Sequence, residues 1–220
     1  MPETTLEQAR AYMVEHQIRT WEVLDPHVLR VMTDLPREDF VPEAYRKLAF
    51  ADTNVPLGHD QVMFSPRLEG RCLQALAIQP TDRVLEVGTG SGYLAACLGS
   101  LAGEVFSVDI FEDFLAPAEA AIKAAGVTNV TVDGQDSSRL DWADGHFDAI
   151  AVTGSMPVLH DSFKEKLNPG GRLFVVVGKE PAMEALLITR TGDDEWTTES
   201  LFETAIPSLL HAYNPVHFEF

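Results

Sequence analysis

The sequence predicts an α/β fold with a mostly parallel, seven-stranded sheet, a C-terminal antiparallel hairpin and extra N-terminal helices. Three observations favour this fold. Short apolar runs alternate with helical patterns after Pro80, two strand-like runs surround a turn at Gly192-Asp193, and the first 50 residues are helical in pattern. Alternating strands and helices are typical of a parallel sheet, because its crossover helices cover both faces. A length of 220 residues suits one domain, which we expect to span residues 1–220.

The N-terminal region is expected to consist of helices interrupted by proline. Apolar residues recur at helical spacing up to Ile18, and Asp25-Pro26 provides an N-cap and a first helical residue for a second helix. Residues 51–64 are expected to be irregular, because proline and glycine interrupt them. Ser65-Pro66 then repeats the N-cap pattern and predicts a helix that continues to Leu76.

The rest of the chain supplies the predicted sheet. Its parallel strands are expected at residues 84–87, 105–108, 130–132, 147–152 and 173–177. Helices are expected at residues 92–101, 114–125 and 161–167, the last of them closed by a turn at 168–171. Two strand-like runs within residues 183–206 predict the antiparallel hairpin at the edge of the sheet.

Composition and charge limit the classes of protein to consider. A net charge of −18 repels phosphate backbones, so no nucleic-acid partner is expected. No apolar run reaches the roughly 20 residues of a membrane span, and the first residues are acidic where a signal peptide is basic. Cys72 and Cys97 lie in apolar helical patterns and are expected to be buried thiols. We therefore expect a cytoplasmic protein without a membrane partner or a metal, as a monomer or weak homodimer.

The segment Glu86-Val87-Gly88-Thr89-Gly90-Ser91-Gly92 joins the first predicted strand of the sheet to its helix. Its glycines let a ligand approach the backbone and the amides that begin the helix. A nicotinamide dinucleotide is disfavoured, because the third glycine comes one position early and Glu86 would repel a pyrophosphate. A ligand with an ammonium group and no phosphate fits better, and S-adenosylmethionine is such a ligand. The residues expected to bind it here are Glu86, Gly88, Thr89, Gly90 and Gly92.

Acidic residues follow the next two strands at the same edge of the predicted sheet. Asp109 ends the second strand, about 20 residues after the glycine loop, where a carboxylate accepts hydrogen bonds from ribose hydroxyls. Asp136 follows the third strand and is placed to accept from the adenine amino group. One such acid alone is more often a turn residue, but three at successive strand ends favour a binding site. With the neighbouring Ile110 and Ser137, these acids complete the predicted S-adenosylmethionine site.

The chain resembles the protein-L-isoaspartate O-methyltransferase family from about residue 14 to about residue 207. The N-terminal matches are the more specific ones, because many methyltransferases share the glycine loop. They include Gln17-Ile18-Arg19, Asp25-Pro26, Val28-Leu29, Pro36-Arg37, Phe40-Val41-Pro42, Ala49-Phe50-Ala51-Asp52 and Val55-Pro56-Leu57-Gly58. The later matches are residues 84–93, Val152-Thr153 and residues 167–173.

The resemblance implies a Rossmann-like S-adenosylmethionine-dependent methyltransferase fold. In that fold, residues 1–80 form a helical substrate-cleft region and residues 81–220 form the cofactor-binding core. It also implies methyl transfer to a carboxylate, a peptide or small carboxylate as the substrate, and a role in protein repair.

The main departure from the family pattern lies in the loop Gln61-Val62-Met63-Phe64-Ser65-Pro66. The family has Gln-Thr-Ile-Ser there, followed by one residue and Pro, so its catalytic serine corresponds to Phe64 and its threonine to Val62. Ser65, one position later, is the candidate catalytic residue, but it also has the position of a helix cap. We expect methylation of isoaspartyl peptides to be weak or absent unless the loop is shifted by one residue.

Two alternatives to a carboxyl methyltransferase stay open. One is a methyltransferase with a different acceptor, and the other is a catalytically weak S-adenosylmethionine-binding relative that acts as an adaptor. A hydroxyl acceptor requires a general base, for which His59 and His160 are the candidates. An exposed loop histidine without a catalytic role is nevertheless the more common case.

Overall fold

The computed structural model of the protein describes residues 5–138, 140 and 142–214. The strands are β1 Val55–Gly58, β2 Gln61–Met63, β3 Arg83–Val87, β4 Glu104–Asp109, β5 Val130–Gly134, β6 Phe147–Met156, β7 Leu167–Lys179, β8 Ala182–Gly192 and β9 Glu195–Glu203. The α-helices are α1 Leu6–Met13, α2 Pro26–Asp34, α3 Pro66–Leu76, α4 Tyr93–Leu101, α5 Glu112–Ala124 and α6 Asp161–Glu165. Shorter helical turns are Val14–Ile18, Arg19–Trp21, Arg37–Asp39 and Glu43–Leu48.

Strands β3 to β9 form one seven-stranded sheet in the order β5-β4-β3-β6-β7-β8-β9. In this order, β5, β4, β3, β6 and β7 pair in parallel, whereas β8 pairs antiparallel with both β7 and β9. The direction of winding reverses between β3 and β6, and ligands of such sheets bind at this point, outside the carboxyl ends of the strands. The predicted mostly parallel seven-stranded sheet with a C-terminal antiparallel hairpin is confirmed.

Apolar side chains cover both faces of the sheet. One cluster contains Val84 of β3 together with the buried residues of the N-terminal helices. The other contains the next residue, Leu85, together with Phe163 of α6. Successive residues of a strand point to opposite faces, so the N-terminal helices and α6 lie on opposite sides of the sheet. Cys72 and Cys97 are buried and free, as predicted.

The N-terminal helices begin where the capping pattern indicates. Oδ1 of Asp25 accepts hydrogen bonds from the amides of His27 and Val28 at 2.7 and 3.2 Å, and Pro26 is the first residue of α2. Ser65 precedes α3 in an extended conformation, but its side chain makes no capping hydrogen bond. In the described part of the chain, no helix has both the length and the apolar character needed to cross a bilayer.

Two segments differ from the prediction. Residues 51–64 include the β1–β2 hairpin, in which Val55 pairs with Met63, so the expectation of irregular structure is wrong there. A two-stranded hairpin consists only of edge strands, and an edge strand tolerates the proline that was interpreted as a breaker. The helix predicted over residues 161–167 ends at Glu165, because Leu167 already pairs with Phe147 as the first residue of β7.

Candidate active site

The glycine loop connects β3 to α4 and packs closely against β6. Gly88 has a φ of +99°, and a Cβ atom at this position would lie 2.1 Å from Oγ1 of Thr153. The Thr153 hydroxyl donates to the carbonyl oxygens of Val87 and Gly88, which lie 2.9 and 2.8 Å away. Only glycine fits this position without displacing Thr153. Strand β6 therefore holds the loop in place.

Glu86 is fully buried beneath the glycine loop. Its Oε2 accepts a hydrogen bond from Oγ of Ser107 at 2.5 Å, and Ser107 Oγ also lies 2.6 Å from Oγ1 of Thr89. Oε1 has no hydrogen-bond partner within the described residues. Burial raises the pKa of Glu86 to about 8; the Ser107 hydrogen bond opposes this shift, and the nearby Asp109 adds to it. A buried carboxyl oxygen without a partner is a ready acceptor for a donor group on a ligand.

Asp109, at the end of β4, accepts hydrogen bonds from the backbone around the glycine loop. Oδ2 lies 2.9 Å from the amide of Gly90, and Oδ1 lies 3.0 Å from the amide of Phe111. Burial raises the pKa of Asp109, although these amide hydrogen bonds oppose the shift. Asp109 and Ile110 line an open cleft at the carboxyl ends of the strands.

The predicted adenine acceptor lies on the same cleft. Asp136 and Ser137 line it, and Oγ of Ser137 is buried without a partner in the described part of the chain. Oδ1 of Asp136 accepts from the amide of Ser138 at 3.1 Å, and Oδ2 lies 2.7 Å from Nδ1 of His211. His211 was not predicted to belong to the site.

Most of the predicted cofactor residues are therefore brought together. Those that line the cleft are Gly88, Gly90, Asp109, Ile110, Asp136 and Ser137. Glu86 and Thr89 line a smaller neighbouring cavity, to which Gly88 and Gly90 also contribute. Gly92 lines neither cavity; it is the N-cap residue of α4 and packs against Ala118 of α5.

The β1–β2 hairpin covers the cleft from the N-terminal side. Leu57 and Val62 line the cleft, and the hairpin turn places His59 over the start of α5. The His59 ring stacks on Phe111 with a centroid distance of 4.1 Å, and its Nε2 lies 2.9 Å from Oδ2 of Asp113. These contacts hold the hairpin against the start of α5.

The C-terminal segment after β9 covers the opposite side. The amide of Leu209 donates to the carbonyl of Ser155 at 2.9 Å, and the amide of Ser155 donates to the carbonyl of Pro207 at 2.9 Å. Leu209 and Leu210 consequently line the cleft. The residues that follow carry His211 to Asp136.

A profile of the protein-L-isoaspartate(D-aspartate) O-methyltransferase family matches residues 8–209. The chain belongs to this family. It is 39% identical over 209 residues to protein-L-isoaspartate O-methyltransferase 1 of Rhodopseudomonas palustris strain HaA2, an alignment that covers 94% of this chain and 85% of that protein. It is also 38% identical to protein-L-isoaspartate O-methyltransferase 2 of Marinobacter nauticus, over 93% of this chain and 94% of that protein. The predicted family membership is confirmed.

The fold agrees with that of solved members of the family. One is a Plasmodium falciparum protein assigned to it and solved in complex with S-adenosyl-L-homocysteine; the TM-score is 0.80, the identity is 20%, and the match covers 91% of this chain and 97% of that one. A second structure, of a protein-L-isoaspartate O-methyltransferase, matches with a TM-score of 0.79 over 92% of this chain and 66% of that one, at 20% identity. The predicted methyltransferase fold is confirmed.

The loop that departs from the family pattern places its two central residues in different cavities. Phe64, at the family's serine position, is buried and lines the smaller cavity with Glu86 and Gly88. Ser65 instead borders a separate cavity beside Arg67. The amide of Ser65 donates to Oδ1 of Asn54 at 3.0 Å, which fixes the backbone in this register. The structure therefore does not bring Ser65 to the cavity that Glu86 lines, and its catalytic role stays a prediction.

Several residues at the cleft had no predicted role. Thr153 and Leu57 lie in segments that match the family pattern, so the resemblance pointed to them without assigning a function. Leu209 and His211 reach the site through tertiary contacts and gave no local signal. His160, the second candidate base, is the N-cap residue of α6, where Nδ1 accepts from the amide of Ser162 at 3.2 Å.

Proposed function

We propose that this chain is an S-adenosylmethionine-dependent O-methyltransferase that methylates the free carboxylate of L-isoaspartyl residues in peptides or proteins. The observation that carries the proposal is the glycine loop between β3 and α4, with Glu86, Asp109 and Asp136 at the ends of three neighbouring strands. The named relatives and the family profile support the choice of acceptor.

The residues at the cleft fit this cofactor. The partnerless Oε1 of Glu86 suits an N–H donor such as an ammonium group, and the open cleft beside Asp109 and Asp136 suits a ribose and an amino-bearing base. Gly88 has no room for a side chain, so its backbone stays open to a ligand. When bound, S-adenosylmethionine supplies an electrophilic methyl group. Glu86, Gly88, Thr89, Gly90, Asp109, Ile110, Asp136 and Ser137 hold the cofactor in this proposal, and Gly92 shapes the turn.

The remaining work of the protein is positioning and exclusion of water. A carboxylate acceptor is already ionised at pH 7, so the protein needs no general base to activate it. Apolar side chains of Leu57 and Val62 on one side, and Leu209 on the other, border the cleft. Shielding the sulfonium of the cofactor and the carboxylate of the acceptor from water strengthens their attraction. Holding both groups in one cleft also aligns them for methyl transfer. Ser65, the candidate catalytic residue, borders a separate cavity, so in this scheme it contacts the substrate only if the loop shifts.

The proposal extends to the organisation and setting of the protein. We assign residues 1–80 to the substrate cleft and residues 81–220 to the cofactor core, within one domain. We place the protein in the cytoplasm as a monomer or weak homodimer that acts on peptides or small carboxylates and in protein repair, without a nucleic-acid partner.

The test is transfer of a labelled methyl group to an isoaspartyl peptide, its aspartyl twin and a panel of small acids. We expect base-labile label on the isoaspartyl peptide, little on the aspartyl twin, and equimolar formation of S-adenosylhomocysteine. Labelling of a small acid alone would point to the different-acceptor alternative. Cofactor binding in calorimetry without turnover on any acceptor would point to the adaptor alternative.

A further inference from the structure

Arg37, in the turn between α2 and the short helical segment Glu43–Leu48, is fully buried and makes four hydrogen bonds. Nε donates to Oε2 of Glu69 at 2.9 Å, and Nη2 donates to Oε1 of the same carboxylate at 3.1 Å. Nη2 also donates to the carbonyl of Phe64 at 2.6 Å, and Nη1 donates to the carbonyl of Ala49 at 2.5 Å. The guanidinium group therefore links the segment at Ala49, the loop at Phe64 and the first turn of α3 at Glu69.

The hydrogen bond to Phe64 acts on a residue that lines the cavity beside the glycine loop. The carbonyl of Phe64 is held by Arg37, while its side chain lines the cavity shared with Glu86 and Gly88. Glu69 lies in the first turn of α3, directly after the loop, and lines the same cavity. Fixing the carbonyl between these anchors restricts the backbone rotation that sets the direction of the Phe64 side chain.

The guanidinium group also contacts the element that follows the glycine loop. Its central carbon lies 5.5 Å from the ring centroid of Tyr93, the first residue of α4. Arg37 thus contacts both the loop at residues 61–66, here called the substrate loop, and helix α4, which follows the glycine loop. A rigid spacing between the two loops is what a transfer reaction between two bound molecules requires.

Stability alone is a weak reason for this arrangement. Burying an ion pair carries a large desolvation penalty, and well-packed apolar residues often give equal or greater stability. The same N-terminal layer contains a second buried pair, Arg10–Glu38, with side-chain exposures of 9% and 7%. Arg10 otherwise donates to the carbonyl of Thr33 and does not bond the substrate loop.

We propose that Arg37 is a positioning residue, which fixes the loop at Phe64 so that the acceptor carboxylate lies in line with the cofactor. This inference rests on the proposed function for its effect on turnover. The effect on the loop itself follows from the hydrogen bonds and does not depend on which acceptor is used.

The first test replaces the pair by apolar residues of similar size, in the double variant Arg37→Met with Glu69→Leu. The matched control is Arg10→Met with Glu38→Leu. We expect kcat for the isoaspartyl peptide to fall by about ten- to a hundredfold in the first protein, because misplacement by about 1 Å can reduce a rate a hundredfold. The dissociation constant for S-adenosylmethionine should stay within about twofold of the wild-type value. Amide hydrogen exchange at residues 61–65 should be at least tenfold faster, and the control should change neither quantity.

A second variant covers the case in which the double variant does not fold. Arg37→Lys keeps the positive charge beside Glu69, but a single ammonium lacks the planar fork that reaches both carbonyls. We expect the same loss of kcat and the same faster exchange. Wild-type kcat and exchange in either folded variant would overturn the proposal. If the wild-type protein itself fails to methylate the isoaspartyl peptide, the proposed function is wrong, and the exchange measurement alone decides the role of Arg37.

Discussion

His211 contacts the carboxylate of Asp136, with Nδ1 of the imidazole 2.7 Å from Oδ2. The other oxygen accepts from the amide of Ser138, so both oxygens of the predicted adenine acceptor have partners. Burial alone would raise the pKa of Asp136, but the hydrogen bonds from His211 and Ser138 outweigh it and hold the pKa below its ordinary value. A carboxylate oxygen accepts up to two hydrogen bonds, so His211 takes one of the acceptor positions that an adenine amino group could use.

Removing this competitor should strengthen cofactor binding. In His211→Ala we expect the dissociation constant of S-adenosylmethionine to decrease roughly three- to tenfold, the range that one modest hydrogen bond accounts for. Isothermal calorimetry on the two proteins measures the difference. The control is His27→Ala, which removes another exposed histidine that is distant in sequence from His211. A weaker affinity in His211→Ala would mean that the imidazole assists the cofactor.

Asp109 should contribute both to cofactor binding and to the position of the glycine loop. Its carboxylate accepts from the amides of Gly90 and Phe111, and Asp109→Ala leaves these donors unpaired. We expect cofactor binding to weaken by about 1–3 kcal/mol, or roughly five- to 150-fold. Asp133→Ala, with an exposed side chain on the neighbouring strand, serves as the control in the same titration. Equal affinities in wild type and Asp109→Ala would remove Asp109 from the site.

Local sequence patterns were sufficient to predict the elements whose formation depends on residues close together in the chain. Apolar runs, caps and glycines indicated the sheet, α2 and the cofactor loop, because periodicity and turn chemistry are properties of neighbouring residues. The β1–β2 hairpin was not predicted, since both strands are short and β1 contains Pro56 and ends at Gly58. The contacts of Arg37 with Phe64 and of His211 with Asp136 span 27 and 75 residues, and no local pattern encodes them.

Gly88 provides a test of how tightly the loop is packed. Alanine there adopts an unfavourable positive φ and also meets Oγ1 of Thr153. Gly126 has a φ of +81° with nothing within 4 Å of an added Cβ, so Gly126→Ala carries the backbone strain without the collision. We expect each substitution to lower the free energy of unfolding by at least about 1–2 kcal/mol, from left-handed strain. Only Gly88→Ala should weaken S-adenosylmethionine binding by more than tenfold, and equal binding by both variants would contradict the assignment.

Glu86 should make the stability of the cofactor-free protein depend on pH. Its pKa is raised from 4.5 to about 8 in the folded state, so between these values the folded protein retains a proton that the unfolded chain releases. The contribution of Glu86 is fully present below pH 4.5 and is lost as the pH rises through 8, by at most about 1.4 kcal/mol per pH unit. Glu86→Gln is uncharged at every pH. Denaturant unfolding from pH 5 to 9 should therefore show a steeper loss for the wild type, and parallel curves would contradict the raised pKa.

The altered substrate loop leads to the last prediction. Phe64 is buried against the cavity that Glu86 lines, at the position where the family has its catalytic serine, and a phenyl ring donates no hydrogen bond to a carboxylate. A hydrogen bond to a charged group contributes about 1.5–3 kcal/mol, so its absence reduces the rate roughly ten- to a hundredfold. We expect slow methylation of the isoaspartyl peptide by the wild type and a gain of that size in Phe64→Ser. Ser65 lines a different cavity, so Ser65→Ala should change the rate less than twofold. Both rates are measured with labelled S-adenosylmethionine at saturating peptide. Fast turnover by the wild type that is lost in Ser65→Ala would show that Ser65 turns into the site during catalysis and takes the role of the missing serine.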